Sequence, residues 1–429
     1  MKFTSIISKT ATVSGIALFS LSIHAKDNPP LLPSSIPLDI QSTGSPTQKD
    51  FDELSWQTFV AINRPSTVNA QLTLWQSWQN SEDVIRVNGK PPLPWGQSSE
   101  LPEACKKQAA GKLPPLVFQM VAKGGSEATR SGEVLTQTDQ PFKNGPLIDQ
   151  NQKFTRYEIR INQPMYDYIN DNKLYSFNGQ KKFKGKVEFP SSNMQKKQQG
   201  SISIKAAWKE IGNNDNAAKF YTVNGVIYIP QSKPGAGDAS CETAIMGLTG
   251  LHVVHRTASA PQWVWSTFEH NDNAPDYPAS NIKGHFNYYN PASDTQINQP
   301  PPQPWDPRRT DMPPTQVVRL TPIATTTKTT NQQYQQALAS DPTMAVFANY
   351  ELISTQWPFQ PFTSGDPLGN PLPKFLANTT METYLQGVIK DKKVELTPQG
   401  TSSCMDCHNN ATIASGAAAG FSYVLQNAE

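Results

Sequence analysis

The sequence predicts an α+β fold: a predominantly antiparallel β body running to about residue 297, then a proline-rich crossing, then a helical C-terminal region. Three observations predict it. Apolar and polar residues alternate over much of residues 157–268, Asn224-Gly225 sits between two apolar runs, and the helical period returns only beyond the seven prolines of residues 298–314. The chain has 429 residues and is 37% hydrophobic, enough for a sizeable core and for roughly two to three domains.

Taken in order, the N-terminus has the three parts of a secretory signal peptide. Lys2 and Lys9 give the positive region, Ile16 to Leu21 the apolar region, and Ala25 a small residue suited to cleavage, so the mature chain would begin near Lys26. The uncharged run from Thr10 to Ser22 is too short to span a bilayer, and no cysteine follows the cut to carry a lipid. A helix is expected over Asp50 to Asn63, with Phe51, Leu54 and Phe59 near helical spacing and a cap within Thr47 to Asp50.

Half-buried strands are expected where Tyr157, Ile159 and Ile161 alternate with Glu158, Arg160 and Asn162. The same pattern sets Ile202, Ile204, Ala206 and Trp208 against Ser201, Ser203 and Lys205. Asn224-Gly225 suits a type I′ hairpin turn within Tyr221 to Tyr228. Residues 298–314 should be extended and exposed, the best domain boundary. Beyond them, Asp341-Pro342 begins a helix with Val346, Tyr350, Ile353 and Trp357 on one face, stopped at Pro358. A second helix is expected from Thr379 and Glu382, in capping-box spacing, through Tyr384, Leu385, Val388 and Ile389. The expected organisation is a signal peptide over 1–25, a mainly β body over 26–297, a crossing over 298–314 and a helical region over 315–429.

Four cysteines divide into two isolated residues and one close pair. In an exported chain Cys105 and Cys241 are expected to form a disulfide, a staple worth roughly 2–5 kcal/mol. Cys404-Met405-Asp406-Cys407-His408 is C-x-x-C-H, the haem c attachment pattern. Each thiol adds to one porphyrin vinyl group, and the adjacent His408 is carried beneath the ring as proximal ligand of the iron. A zinc site would want a second ligand pair, and a thioredoxin-like dithiol would sit early in a βαβ unit; neither context surrounds this motif.

Residues 409–429 hold neither Met nor His, so a sixth iron ligand must come from upstream or from a bound small molecule. Upstream candidates are His252, His255, His270 and His285, with Met246, Met344 and Met381. On a strand, His252 and His255 face opposite sides. His270, within Phe268-Glu269-His270-Asn271-Asp272, and then His255 are the favoured distal candidates, as axial ligand, acid/base group or metal ligand; a hydrogen-bonded structural role is the ordinary alternative. Trp263 and Trp265 are expected in the core, with a place beside the porphyrin as the functional alternative.

The stretches Leu54 to Ala61, Gly247 to Thr257, Gln262 to Pro275, Leu376 to Gln386 and Ser403 to Asn409 resemble a group of secreted bacterial cytochrome c family proteins of unestablished activity. The resemblance covers most of the mature chain. It implies haem c on Cys404, Cys407 and His408 and draws His255 and His270 into the shared pattern without giving them roles.

The expected function is electron transfer by an exported, periplasmic or secreted, single-haem cytochrome, with a redox protein or a small-molecule oxidant or reductant as partner. The alternatives are a peroxidase-like oxidoreductase with an open distal site, motivated by a chain larger than electron transfer requires, and a haem-based sensing or binding module. Net charge is +2, too small to imply nucleic acid as a partner. The lysine-rich run from Lys173 to Lys205, eight lysines against Glu188, reads as a solvated face, with docking of an acidic redox partner as its functional alternative.

Overall fold

The computed structural model of the chain describes residues 29–109, 140–141, 144–229, 239–260, 262–279, 282, 284–303, 305, 311–358, 371–397 and 403–429. The expected signal peptide lies outside the described residues, as do positions 304 and 306–310 of the proline-rich crossing.

The fold is α+β and is organised by one antiparallel sheet. Its strands are β1 (Gln79–Asn80), β2 (Arg156–Ile161), β3 (Ile202–Glu210), β4 (Thr222–Ile229), β5 (Ser240–His255), β6 (Val264–His270), β7 (Tyr350–Pro358) and β8 (Pro371–Leu372). They pair in the order β1-β2-β3-β5-β6-β7-β8, with β4 also on β5. β3 and β4 both pair with Met246 and Gly247, and β3 and β6 both pair with residues 250–255, so β3 takes one edge of β5 while β4 and β6 share the other. A separate hairpin joins β9 (Gly387–Lys390) to β10 (Lys393–Leu396).

Both faces of the sheet are covered. On one face, helix Gln48–Asn63 and helix Thr325–Ala339 lay Trp56, Phe59, Tyr334 and Leu338 on Ile204, Trp208, Leu251, Val253 and Phe268. Helix Gln48–Asn63 starts as its sequence predicts, with Thr47 as N-cap and Asp50 closing a capping box. The other face carries Ile161, Val254 and Trp265 and is covered by helix Gln163–Asp171 and by residues 403–429, which bring Met165, Met405, Ile413 and Val424. The middle of the sheet is therefore not half-buried, since every residue of β6 is buried, whereas Thr222 and Asn224 of β4 and Glu242, Thr243 and Ile245 of β5 remain exposed.

Cys105 and Cys241 form the expected disulfide, joining helix Glu103–Ala109 to β5. No helix among the described residues is long and apolar enough to cross a membrane.

Several expected elements differ. Asn224-Gly225 lies inside the continuous strand β4 rather than at a hairpin turn. Gly225 is demanded by close approach, since a Cβ there would sit 2.5 Å from Met246 Cγ on β5. The expected helix after Asp341-Pro342 is a short 3₁₀ turn, Ala345–Asn349, that runs into β7. Pairing with β6 overrides the 3.6-residue spacing of Tyr350, Ile353 and Trp357. The expected helix from Thr379 to Ile389 is turns, a 3₁₀ segment Thr383–Leu385 and β9. The helix of the C-terminal half lies instead at Thr325–Ala339. Since β7 completes the sheet begun by β1 to β6, residues on both sides of the crossing build one core.

Candidate functional site

Cys404–His408 is a single helical turn capped by Ser403. Positions i, i+3 and i+4 share one helix face, so the turn presents Cys404, Cys407 and His408 together. Met405 points the other way and is fully buried among Ile161, Trp265 and Val424. Gln356 on β7 fastens the turn to the sheet. Its Nε2 donates to Ser403 Oγ at 3.0 Å, and its Oε1 accepts from the Met405 amide at 2.9 Å.

The His408 ring is oriented from behind. Its Nδ1 donates to the Phe421 carbonyl oxygen at 2.8 Å, because a carbonyl can only accept, and Nε2 is left with its lone pair free. Trp265 and Tyr423 flank the ring, with centroids 4.7 and 5.0 Å away. Tyr423 Oη also donates to the Cys407 carbonyl at 2.8 Å, which ties the turn to the C-terminal segment.

Three ionisable side chains on the sheet side complete the site. Lys205 on β3 and His252 on β5 are cross-strand partners on the face that carries Trp265. Lys205 Nζ stands 5.0 Å from the centroid of the Tyr157 ring. Glu382 reaches His252, its Oε2 3.4 Å from Nε2, and accepts from the Asn378 amide at 3.0 Å. The charges of His252, Lys205 and Glu382 bear on His408, and those of Glu382 and Lys205 on Cys407.

These groups line a cleft. Lys205, His252, Glu382, Cys404, Cys407 and His408 all keep partial access to solvent. Yet burial sets the shift of four of them: it raises both thiols, lowers Lys205 and pushes His408 down to about 4. Burial would also raise Glu382, but the His252 and Lys205 charges outweigh it and hold the carboxyl down to about 2.

The residues fit a covalent haem. Both thiols are unpaired, His408 offers an oriented Nε2, and a second imidazole, His252, stands on the same side of the sheet. The competing chemistries fit less well. A dithiol oxidoreductase needs a thiol lowered towards neutrality, whereas both thiols here are raised. A zinc site needs a ligand cage, and among the described residues no group of three or more His, Cys, Asp or Glu could hold a bare ion.

The favoured distal candidates stand elsewhere. His255 and His270 alternate onto the opposite face, with Val253 and Phe268. His255 Nε2 lies 2.7 Å from the Gln199 side-chain amide, and burial pushes its imidazole down to about 3. His270 is stacked on Phe220 at 4.1 Å. It donates from Nε2 to the Lys219 carbonyl at 3.0 Å and accepts at Nδ1 from the Asp272 amide at 3.1 Å. Both ring nitrogens of His270 are satisfied, which is the structural role. Met246 and Met344 lie on that same opposite face, and His285 is exposed beside Asp215. Met381 is on the cleft side of the sheet but fully buried against Tyr157 and Ala207.

Trp263 and Trp265 are core residues, as expected, and Trp265 is also the ring beside His408. Sequence reasoning missed Lys205, Glu382, Gln356 and Phe421. The opposed directions of His252 and His255 were readable, but which direction leads to Cys404 depends on register and on what covers each face. Comparison with family models, with curated proteins and with solved structures finds no match to this chain.

Proposed function

We propose that this chain is an exported, periplasmic or secreted cytochrome that carries one haem c and transfers electrons. One observation carries the reading. The C-x-x-C-H turn is held against the sheet with both thiols free and with His408 bonded through Nδ1 to a backbone carbonyl, the arrangement that fixes a metal-binding imidazole. Bound haem would supply a one-electron Fe(II)/Fe(III) couple. Cys404 and Cys407 would hold it, His408 Nε2 would ligate it, and Trp265 with Tyr423 would keep the His408 ring from turning.

The resemblance to secreted cytochrome c family proteins points the same way, and the Cys105–Cys241 disulfide suits an oxidising compartment. Surface charge favours a protein partner of acidic character over a small molecule. Removing Lys2 and Lys9 with the signal peptide leaves 37 − 2 = 35 basic against 35 acidic residues, so the mature chain would be neutral. The seven lysines from Lys173 to Lys197 are nevertheless all exposed. Their segment is bonded to the segment that orients His408, through Gln180 Nε2 to the Leu425 carbonyl at 2.8 Å and the Val187 amide to the Ala418 carbonyl at 3.1 Å. The eighth lysine, Lys205, belongs to the cleft instead.

The polar lining of the cleft favours a second reading, a peroxidase-like haem oxidoreductase whose substrate meets Lys205, His252 and Glu382. Optical spectra of the mature protein, made with a cytochrome c maturation system, decide between them. Covalent haem that is lost in Cys404→Ala/Cys407→Ala and is insensitive to carbon monoxide when reduced is the expected result. Covalent haem that binds carbon monoxide selects the oxidoreductase, and absence of covalent haem in the unaltered protein sinks both.

A further inference from the structure

We infer that His252 is the second protein ligand of the haem iron, with Glu382 as the residue that positions its ring. The inference rests on the haem reading above and deepens it by naming the partner of His408 across the site.

Three observations carry it. First, strand direction leaves His252 as the histidine of the sheet that shares the cleft with the C-x-x-C-H turn. His252 pairs with Lys205 and Thr267 on the face of Trp265, whereas His255 and His270 alternate onto the face covered by helices Gln48–Asn63 and Thr325–Ala339. Second, the buried His252 Nε2 is turned to Glu382, whose Oε2 lies 3.4 Å away, and no hydrogen bond among the described residues occupies the other ring nitrogen, Nδ1. Third, Glu382 Oε2 lies 3.4 Å from that ring and is itself held by the Asn378 amide. A carboxylate behind an imidazole is the usual support of a metal-bound histidine, one ring nitrogen facing the carboxylate and the other the metal; here Nε2 faces Glu382 and Nδ1 is the nitrogen left for the iron.

The backbone is shaped to bring Glu382 there. Gly250, two residues before His252 on the same face, is overlain by residues 378–381: a Cβ at Gly250 would collide with Thr380 Oγ1 and lie 3.2 Å from Met381 Cε. The Asn378 side chain is pinned to β6 through Thr267 Oγ1 at 2.8 Å and the Phe268 carbonyl at 3.0 Å. Thr379 accepts the same anchoring from β6, its amide donating to Glu269 Oε1 at 2.6 Å. Glu382 therefore approaches His252 from a segment fixed to the sheet.

The test is ligation of the haem-loaded protein, read by electron paramagnetic resonance of the oxidised form and by carbon monoxide binding to the reduced form. In the unaltered protein a low-spin, carbon-monoxide-insensitive haem is expected. His252→Ala should give a high-spin haem that binds carbon monoxide, and free imidazole should restore the low-spin signal. His252→Met, which keeps a ligand of similar size, should stay low-spin with a raised reduction potential, since Met/His ligation raises it. Glu382→Gln should leave the haem low-spin while loosening its hold, so that carbon monoxide binds measurably. His255→Asn and His270→Asn should leave the spectra unchanged.

A low-spin haem that survives His252→Ala overturns the inference. So does a shift to high spin on Lys205→Ala or Met381→Leu but not on His252→Ala, which would move the ligand to that residue. A haem that is high-spin in the unaltered protein also overturns it while leaving the covalent attachment standing. Absence of covalent haem would instead defeat the reading on which the inference rests.

Discussion

The two faces of the central sheet are both buried, but they are buried by different means. The face under helices Gln48–Asn63 and Thr325–Ala339 is an aromatic and aliphatic core, with Phe59 stacked on Phe268 at 4.2 Å and Trp56 on Tyr334 at 5.2 Å. The face under residues 371–397 and 403–429 is covered mainly by irregular chain that leaves a cleft, and the cleft collects a lysine, a histidine, a glutamate, two thiols and an imidazole. One face supplies cohesion and the other gathers ionisable side chains. A long antiparallel sheet can serve both, because alternate residues of the same strand answer to different neighbours: Val253 packs in the core while His252 and Val254 turn to the cleft side.

The largest expected effect belongs to the cohesive face. Phe59→Ala removes a fully buried ring that touches Phe268, Trp56 and Phe347, and should cost about 3–5 kcal/mol in urea-induced unfolding. Below its unfolding transition the variant should keep the optical spectrum of the unaltered protein loaded with the proposed haem. A variant whose haem ligation changes while its stability does not would break the separation of the two faces.

A somewhat smaller effect follows from His270 on the same cohesive face. Burial holds its imidazole down to about 4, and Nδ1 already accepts the Asp272 amide, so protonation must break that bond. A histidine with a depressed folded value binds its proton more readily when unfolded. Its contribution is therefore complete above about pH 6.5 and is lost as pH falls towards 4, amounting at most to about 3 kcal/mol. His270→Asn should flatten the fall in unfolding free energy between pH 6.5 and 4. An unchanged slope would mean that the acid sensitivity lies with other groups, with His255 next in line, since burial pushes it down to about 3.

These faces were only partly legible in the sequence. Alternation correctly marked β2 and β3, and the clustering of Cys404, Cys407 and His408 follows directly from five consecutive residues. Alternation does not, however, say what lies over each side. Tyr157, Ile159 and Ile161 turn to the cleft side, whereas the apolar set of the adjacent strand, Ile204 and Trp208 among it, turns to the other. Lys205, one of eight lysines that look like a solvated run, consequently stands in the cleft.

The same limit explains the distal histidines. His270 lies beside Asp272, which looks like catalytic company, yet the Asp272 contribution to its ring is a backbone amide, while the Asp272 carboxylate pairs with Lys219 at 2.8 Å. Lys205, His252 and Glu382 come from separate stretches of chain, and only the β3–β5 register and the anchoring of residues 378–380 bring them together. The helices expected at residues 341–357 and 379–389 failed for a related reason. Apolar spacing there serves pairing with β6 and cover over Gly250, contacts that no local pattern announces.

The smallest effect sits where the two faces communicate. Gln356 belongs to the strand that packs beneath helix Gln48–Asn63, yet its side chain holds Ser403 and the Met405 amide on the cleft side. Gln356→Ala leaves that buried amide without its acceptor, which should cost about 1–3 kcal/mol locally. The loss should appear as release of the Cys404–His408 turn rather than as collapse of the sheet, because the strand pairing of β7 with β6 does not use the side chain. In the haem-free protein, Cys404 and Cys407 should then react with a thiol reagent on the order of tenfold faster, while the urea midpoint moves little. If thiol reactivity stays constant, the turn is held by Met405 packing and by the Phe421 and Tyr423 contacts instead, and the cleft is rigid without help from the cohesive side.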